Sequence, residues 1–187
     1  MTDTNKIEFD RIVQRYDKRL FNLLFRLSGD YDLAQDLAQE VFLIAYKEYS
    51  KFRGESDFFT WLYRIAVNHH RRYLRKQKLK SFFGLGERTP EEEVSDPGAL
   101  EQMENIERLP QDQMVRQAVS ELPAEFKETV VLYYFEDQAC DDIAKILGCS
   151  PGTVKSRLWR GRQILAQKLS GLNAAVNQGG KNELSAN

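Results

Sequence analysis

Trp61, Arg64, Asn68, Arg71 and Arg75 recur every three or four residues within FFTWLYRIAVNHHRRYLRKQKLK, residues 58 to 80. At helical spacing all five share one side, opposite Phe58, Phe59, Leu62, Ile65, Ala66, His69 and Tyr73. The outer face is aromatic at its start, amide in its middle and cationic at its end. A core helix has no use for the charges, and a solvated helix has none for the tryptophan. Rings beside a cationic track suit single-stranded nucleic acid. Unstacked bases lie on the rings for about 1–3 kcal/mol each, and the phosphates follow the charges. The two histidines, His69 and His70, are adjacent, so they cannot form a helical i,i+4 metal pair, and core packing is expected for His69.

A second set lies in GCSPGTVKSRLWRGRQIL. Val154, Leu158, Gly161, Leu165 and Leu169 fall on one helix face. Lys155, Ser156, Trp159, Arg160 and Gln163 fall on the other, with Arg157 flanking and Thr153 in the first turn. Gly148 suits the left-handed end of the preceding helix, Ser150 suits an N-cap and Pro151 a first helical position. Residues 151–168 contain five bases and no acid. Helix, tight turn, then a helix with a basic face is the pattern of a helix laid in the DNA major groove. An ordinary solvated helix is the competing reading; the Ser-Pro cap, the glycine turn and the missing acids weigh against it.

A third face belongs to DLAQDLAQEVFLIAYKEY, residues 32–49. Ala34, Leu37, Val41, Ile44 and Ala45 form its core stripe. Gln35, Asp36, Gln39, Leu43 and Tyr46 lie opposite. Acids, amides and large apolar groups mixed on one face fit a protein interface. Alternatively, Leu43 and Tyr46 pack under the N-terminal helix.

These faces need helices to hold them. Ile7, Phe9, Ile12, Val13, Tyr16, Leu20, Leu23, Leu24 and Leu27 repeat at helical spacing up to Gly29. A second helix begins near Asp32 and a third near Asp57. After Gln113, two helices separate around Leu122-Pro123 and lead into the helix-turn-helix. No stretch alternates as a strand would, so the fold class expected is all-α. Residues 84–112 carry three prolines, three glycines, two bases and nine acids. That composition reads as a flexible acidic linker, with room for a short helix at 99–109. The domains expected are therefore 1–83 and 113–172, joined by the linker 84–112, with a disordered tail at 173–187.

The net charge of −1 over 187 residues conceals this sorting, because residues 1–83 are net +5 and the linker is net −7. A polar, acidic N-terminus and the lack of a long apolar run suggest a cytoplasmic protein. Cys140 and Cys149 are too few for a disulfide framework and are expected to be reduced.

In order along the chain, DLAQDLAQEVFLIAY, FRGESDFFTWLYRIAVN, LPAEFKETVVLYYFED and GCSPGTVKSRLWRGRQIL resemble the sigma-70 superfamily. The likeness is to its short extracytoplasmic-function (ECF, group 4) sigma factors, and it extends to about Leu172. The resemblance implies roles. Asp36, Gln39, Glu40, Leu43 and Tyr46 would meet the β′ clamp helices of core RNA polymerase. Phe52, Trp61, Arg64, Asn68, Arg71 and Arg75 would recognise and melt the −10 element. The loop from Phe52 to Asp57 would receive a flipped base, and Asn68 would help hold it. Ser150, Thr153, Lys155, Ser156, Arg157, Trp159 and Arg160 would read the −35 element, with the same module touching the β flap. Many relatives are held inactive by a cognate anti-sigma factor, often membrane-bound. Relatives often carry Gly after the acid at 136 and a capping residue at 139. Here Asp137 and Ala139 stand there, leaving Asp141 and Asp142 to favour the helix start.

The linker's 29 residues span roughly 95 Å when extended, at about 3.3 Å each. Two turns of duplex are about 70 Å, so each module can sit on its own element. Two other classes compete. A free-standing helix-turn-helix regulator leaves the 32–49 face and the aromatic face without a purpose. An enzyme such as a DNA invertase needs a nucleophile among cations or a metal cluster, and no catalytic or metal-binding set is expected, nor any cofactor.

Overall fold

The computed structural model describes residues 3–52, 54, 56–84 and 110–183. Among them there is no strand. The first domain is α1 (Asp3–Ser28), α2 (Tyr31–Glu48), a 3₁₀ turn (Tyr49–Lys51) and α3 (Phe58–Phe82). The second is α4 (Pro110–Ser120), α5 (Ala124–Tyr134), α6 (Cys140–Leu147) and α7 (Pro151–Glu183). The expected short helix at 99–109, and most of the linker, lie outside the described residues. Helix α7 continues to Glu183, past the Leu172 where the sequence suggested a tail, and 184–187 lie outside the described residues.

Local chemistry sets the helix starts. Asp30 Oδ1 accepts from Leu33 N at 2.8 Å and Asp57 Oδ1 from Phe59 N at 2.8 Å. Each satisfies an amide that the first turn leaves unpaired. In the first domain Leu20, Leu23, Leu24, Leu37, Val41, Leu62, Ala66 and Val67 close the core. Each large apolar side chain so buried contributes about 1.5–3 kcal/mol. Tyr63 is also fully buried, although it flanks the predicted core stripe. Phe42, absent from the predicted stripe of α2, is buried as well, while Ile44 is only half-buried.

In the second domain Val130, Val131, Leu132, Ile143, Ile146, Val154 and Leu158 form the core. Helix α7 lies close on α5 because Gly161 has no Cβ: one placed there would be 2.9 Å from Val130 Cγ2. The turn between α6 and α7 is as the sequence requires. Gly148 takes φ 67, Cys149 N donates to Ala144 O at 3.0 Å, and Ser150 Oγ accepts from Thr153 N at 3.1 Å. Helix α6 has no side-chain cap at Ala139, as expected, and carries Asp141 and Asp142 in its first turn. The two domains touch, α3 against α6 and α1 against α5.

Candidate polymerase and nucleic-acid interfaces

Helix α2 turns its core stripe to α1 and α3 and leaves a polar face outside. Asp36, Gln39 and Glu40 are exposed on it, and Leu43 is 60% exposed. Tyr46 divides from Leu43: its ring packs edge-on against Phe9 with centroids 5.1 Å apart. The N-terminal helix therefore takes Tyr46 and leaves Leu43 in solvent. Glu40 meets His69 Nε2 at 2.5 Å, across from α3.

The outer face of α3 carries Arg64, Asn68 and Arg75, all exposed. Its aromatic end is a packed cluster rather than a free-standing ring. Trp61 is half-buried, 5.2 Å from the Phe52 ring and 5.3 Å from Phe58. Phe52 therefore sits where the loop meets the helix, and the indole is held against it. His69 and His70 exchange the positions expected of them. His69 is the partly exposed one, on Glu40, while His70 is the buried one. The reason is the helix rotation that also buries Tyr63 and Val67, placing position 70 inward with them.

Arg71 is half-buried and does not face solvent freely. Its Nε and Nη2 reach the two carboxylate oxygens of Glu128 on α5 at 2.8 and 2.5 Å, and Nη1 lies 3.4 Å from Leu147 O on α6. The Glu128 hydrogen bonds raise the guanidinium's already high pKa further, against the opposing effect of burial. A second polar contact crosses the same junction. Glu136, 4% exposed, accepts from the Tyr63 hydroxyl and lies 3.6 Å from Arg26 Nη1. Arg26 also stacks over the Phe135 ring at 4.8 Å. Burial pushes the Glu136 carboxyl above its usual range, with Tyr63 and Arg26 working against that. Burial pushes the Tyr63 hydroxyl up as well, and the neighbouring Glu136 adds to it.

On α7, Lys155, Ser156, Trp159 and Arg160 are exposed together, Trp159 by 62%. Arg157 leans back to α5, with Nη2 3.4 Å from Glu125 Oε2. Ser150 and Thr153 share a hydrogen bond of 2.9 Å at the helix start. This is a stiff, basic, solvent-facing helix, backed by α5 through Gly161 and by α6 through the turn. The residues bridging the domains, Tyr63, Glu128, Glu136 and Arg26, went unnoticed in the sequence. The available signal was two acids, Glu128 and Glu136, in the otherwise apolar run ETVVLYYFE. Among the described residues no group of His, Cys, Asp and Glu could hold a metal, and both cysteines are free and half-buried. No helix among them is long and apolar enough to cross a membrane.

Comparison with known proteins decides what these faces belong to. A model of Sigma-70 region 2 matches residues 12–80, and one of Sigma-70, region 4 matches residues 112–165. The chain is 34% identical over 180 residues to the RNA polymerase sigma-H factor of Pseudomonas aeruginosa, covering 90% of this chain and 89% of that one. The chain belongs to the sigma-70 family, among its ECF sigma factors. The ECF RNA polymerase sigma-E factor of Haemophilus influenzae is 34% identical over 184 residues, covering 90% of each chain. That of Escherichia coli is 34% identical over 170 residues, covering 88% of this sigma factor and 87% of its own length. Among solved structures, the sigma factor RpoE of Bartonella quintana, in complex with the anti-sigma factor NepR, superposes with a TM-score of 0.69 at 25% identity. It covers 87% of this sigma factor and 97% of that chain. CnrH in complex with the cytosolic domain of CnrY shares the fold, with a TM-score of 0.63 at 21% identity over 91% of this chain and 90% of that one. This sigma factor thus binds core RNA polymerase and directs promoter-specific initiation. A free-standing helix-turn-helix regulator would leave the region 2 match over residues 12–80 without a purpose.

Proposed function

We propose that three separate faces divide the work of this sigma factor, which acts in the cytoplasm as a non-catalytic initiation factor. Asp36, Gln39, Glu40 and Leu43 dock α2 on the β′ clamp helices, with Tyr46 fixed beneath them by Phe9. Phe52, Trp61, Arg64, Asn68, Arg71 and Arg75 engage the −10 strand. Ser150, Thr153, Lys155, Ser156, Arg157, Trp159 and Arg160 engage the −35 duplex, and the same domain touches the β flap. A cognate anti-sigma factor is a further partner, as NepR is for its structural relative.

The observation that carries the −10 assignment is the outer face of α3. Asn68 and Arg64 stand in solvent one and two turns from an indole already held flat against Phe52 and Phe58. Unpairing and extruding a base costs a few kcal/mol, and a ring and an amide held in place offset it without ordering anything new. The test uses holoenzyme reconstituted with core RNA polymerase on promoters mapped by sequencing its transcripts. Permanganate footprinting of thymines then reads melting. Asn68→Ala and Trp61→Ala should slow melting of duplex promoter more than they weaken closed-complex binding. A pre-melted template should rescue Trp61→Ala more than Asn68→Ala, which still lacks its base contact. If both variants melt duplex at the wild-type rate, α3 is only a docking surface and the assignment is wrong.

A further inference from the structure

The described structure holds the two domains together, and it does so largely with charge. Arg71 of α3 forms a forked pair with Glu128 of α5, whose side chain is 5% exposed, and reaches the α6 carbonyl at Leu147. Glu136, just past α5, is buried between Tyr63 of α3 and Arg26 of α1. Initiation needs a different arrangement. The −10 and −35 elements lie about two turns of duplex apart, roughly 70 Å. A helix with its side chains is only about 10–12 Å across, so domains joined through α3 and α6 cannot occupy both elements at once.

We propose that Arg71–Glu128 and Glu136 with Tyr63 and Arg26 form a latch that holds the free sigma factor closed. In the closed form its C-terminal domain covers part of the cationic track of α3, and assembly with core polymerase releases it. The choice of bonds fits a contact that must break. A buried ion pair gains little net energy, because the desolvation of both charges offsets their attraction. The same pair is strongly selective for its partner, because either charge left buried alone is costly. An apolar seam of the same area would fuse the domains and expose a greasy surface on opening. Arg71, Glu128, Glu136 and Arg26 are all stable in water once released. The latch is also one-sided. It occupies Arg71 on the −10 surface and leaves Lys155, Ser156, Trp159 and Arg160 of the −35 helix exposed. Closure therefore masks the strand-binding face while the duplex-reading face stays open. The masking half of the inference rests on the assignment of Arg71 to the −10 strand; the closing half rests on the contacts alone.

Small-angle scattering of the full chain without polymerase tests the closing half. The wild type should be compact, and the double variant Glu128→Gln with Glu136→Gln should be expanded at unchanged helicity. Its closed-to-open ratio should fall on the order of a hundredfold. Arg71→Glu with Glu128→Arg exchanges the two ends of the pair, and should be more compact than Arg71→Glu alone. A wild type as expanded as the double variant, or a helical double variant as compact as the wild type, overturns the latch. Binding of a fluorescent single-stranded oligothymidine to the free chain tests the masking half. The double variant should bind it at least tenfold more tightly than the wild type. A double variant that opens but binds the strand no better overturns the masking. If it does bind better, and adding Arg71→Ala leaves that affinity unchanged, the −10 assignment of Arg71 fails while the latch stands.

Discussion

His70 is 4% exposed, and neither ring nitrogen has a hydrogen-bond partner among the described residues. Burial lowers its pKa from 6.5 to about 4, and the nearby Lys127, Arg71 and His69 push the same way. The fold accepts only the neutral ring. Above pH 6.5 the ring is neutral both in the folded and the unfolded chain, and its titration does not affect stability. Between pH 6.5 and about 4 the unfolded chain binds the proton and the folded chain does not, so stability falls as pH falls. Across that whole window the loss is about 3 kcal/mol, at 1.36 kcal/mol per pH unit. Between pH 7.5 and 5.5 alone it is about 1.4 kcal/mol. The assay is urea unfolding of wild type and His70→Leu at those two pH values. Glu136 titrates with the opposite sign. Its raised pKa favours the folded state at low pH, and that stability is lost as pH rises. It is present in both proteins, so it cancels from the difference. Wild type should lose about 1.4 kcal/mol more than His70→Leu on going to pH 5.5. At pH 7.5 the variant should be at least as stable, since it removes two buried polar atoms that lack partners. Equal pH dependence in the two chains would show that His70 takes up its proton while folded, and would refute the reasoning.

Two further outcomes are expected. If Arg160 reads a guanine edge, Arg160→Ala should cost about 1–3 kcal/mol at the preferred site and relax one base position; if it meets phosphate only, the salt slope of binding should fall by about 0.9 with no change of preference, and gel-shift titration at several salt concentrations separates these. Gly161→Leu should lower the unfolding free energy by about 1–3 kcal/mol, because a Cβ there would already be 2.9 Å from the buried Val130 Cγ2, and a thermal melt no lower than wild type would contradict the close α5–α7 packing.

The helices, their starts and the helix-turn-helix were legible because each rests on neighbours in the chain. Gly148, Ser150 and Pro151 act within one turn of themselves, and their roles follow from residue type. The exposed faces of α2 and α7 follow from the rotation of a single helix against a single core. Where the helix wheel failed, a small angular error moved a residue between faces. The swap of His69 and His70 is one step of 100° along α3. Tyr46 was undecided because its position lies at the edge of the α2 face, and only the placement of Phe9 settles it.

What sequence could not disclose is what one helix face does to another domain. Arg71 and Glu128 are 57 residues apart, and Tyr63 and Glu136 are 73 apart. Nothing local distinguishes an arginine awaiting phosphate from one paired with a carboxylate, because a guanidinium presents the same fork of donors to both. That equivalence is what allows one side chain two successive partners. Glu128 offers Arg71 two oxygens in the plane of its guanidinium, as a nucleic-acid phosphate would. The charge of α3, which read as a nucleic-acid track, and the acids of ETVVLYYFE, which read as misplaced core residues, are then two halves of one interaction. The C-terminal domain can cover α3 with carboxylates only because the chemistry that binds the promoter strand also binds its stand-in.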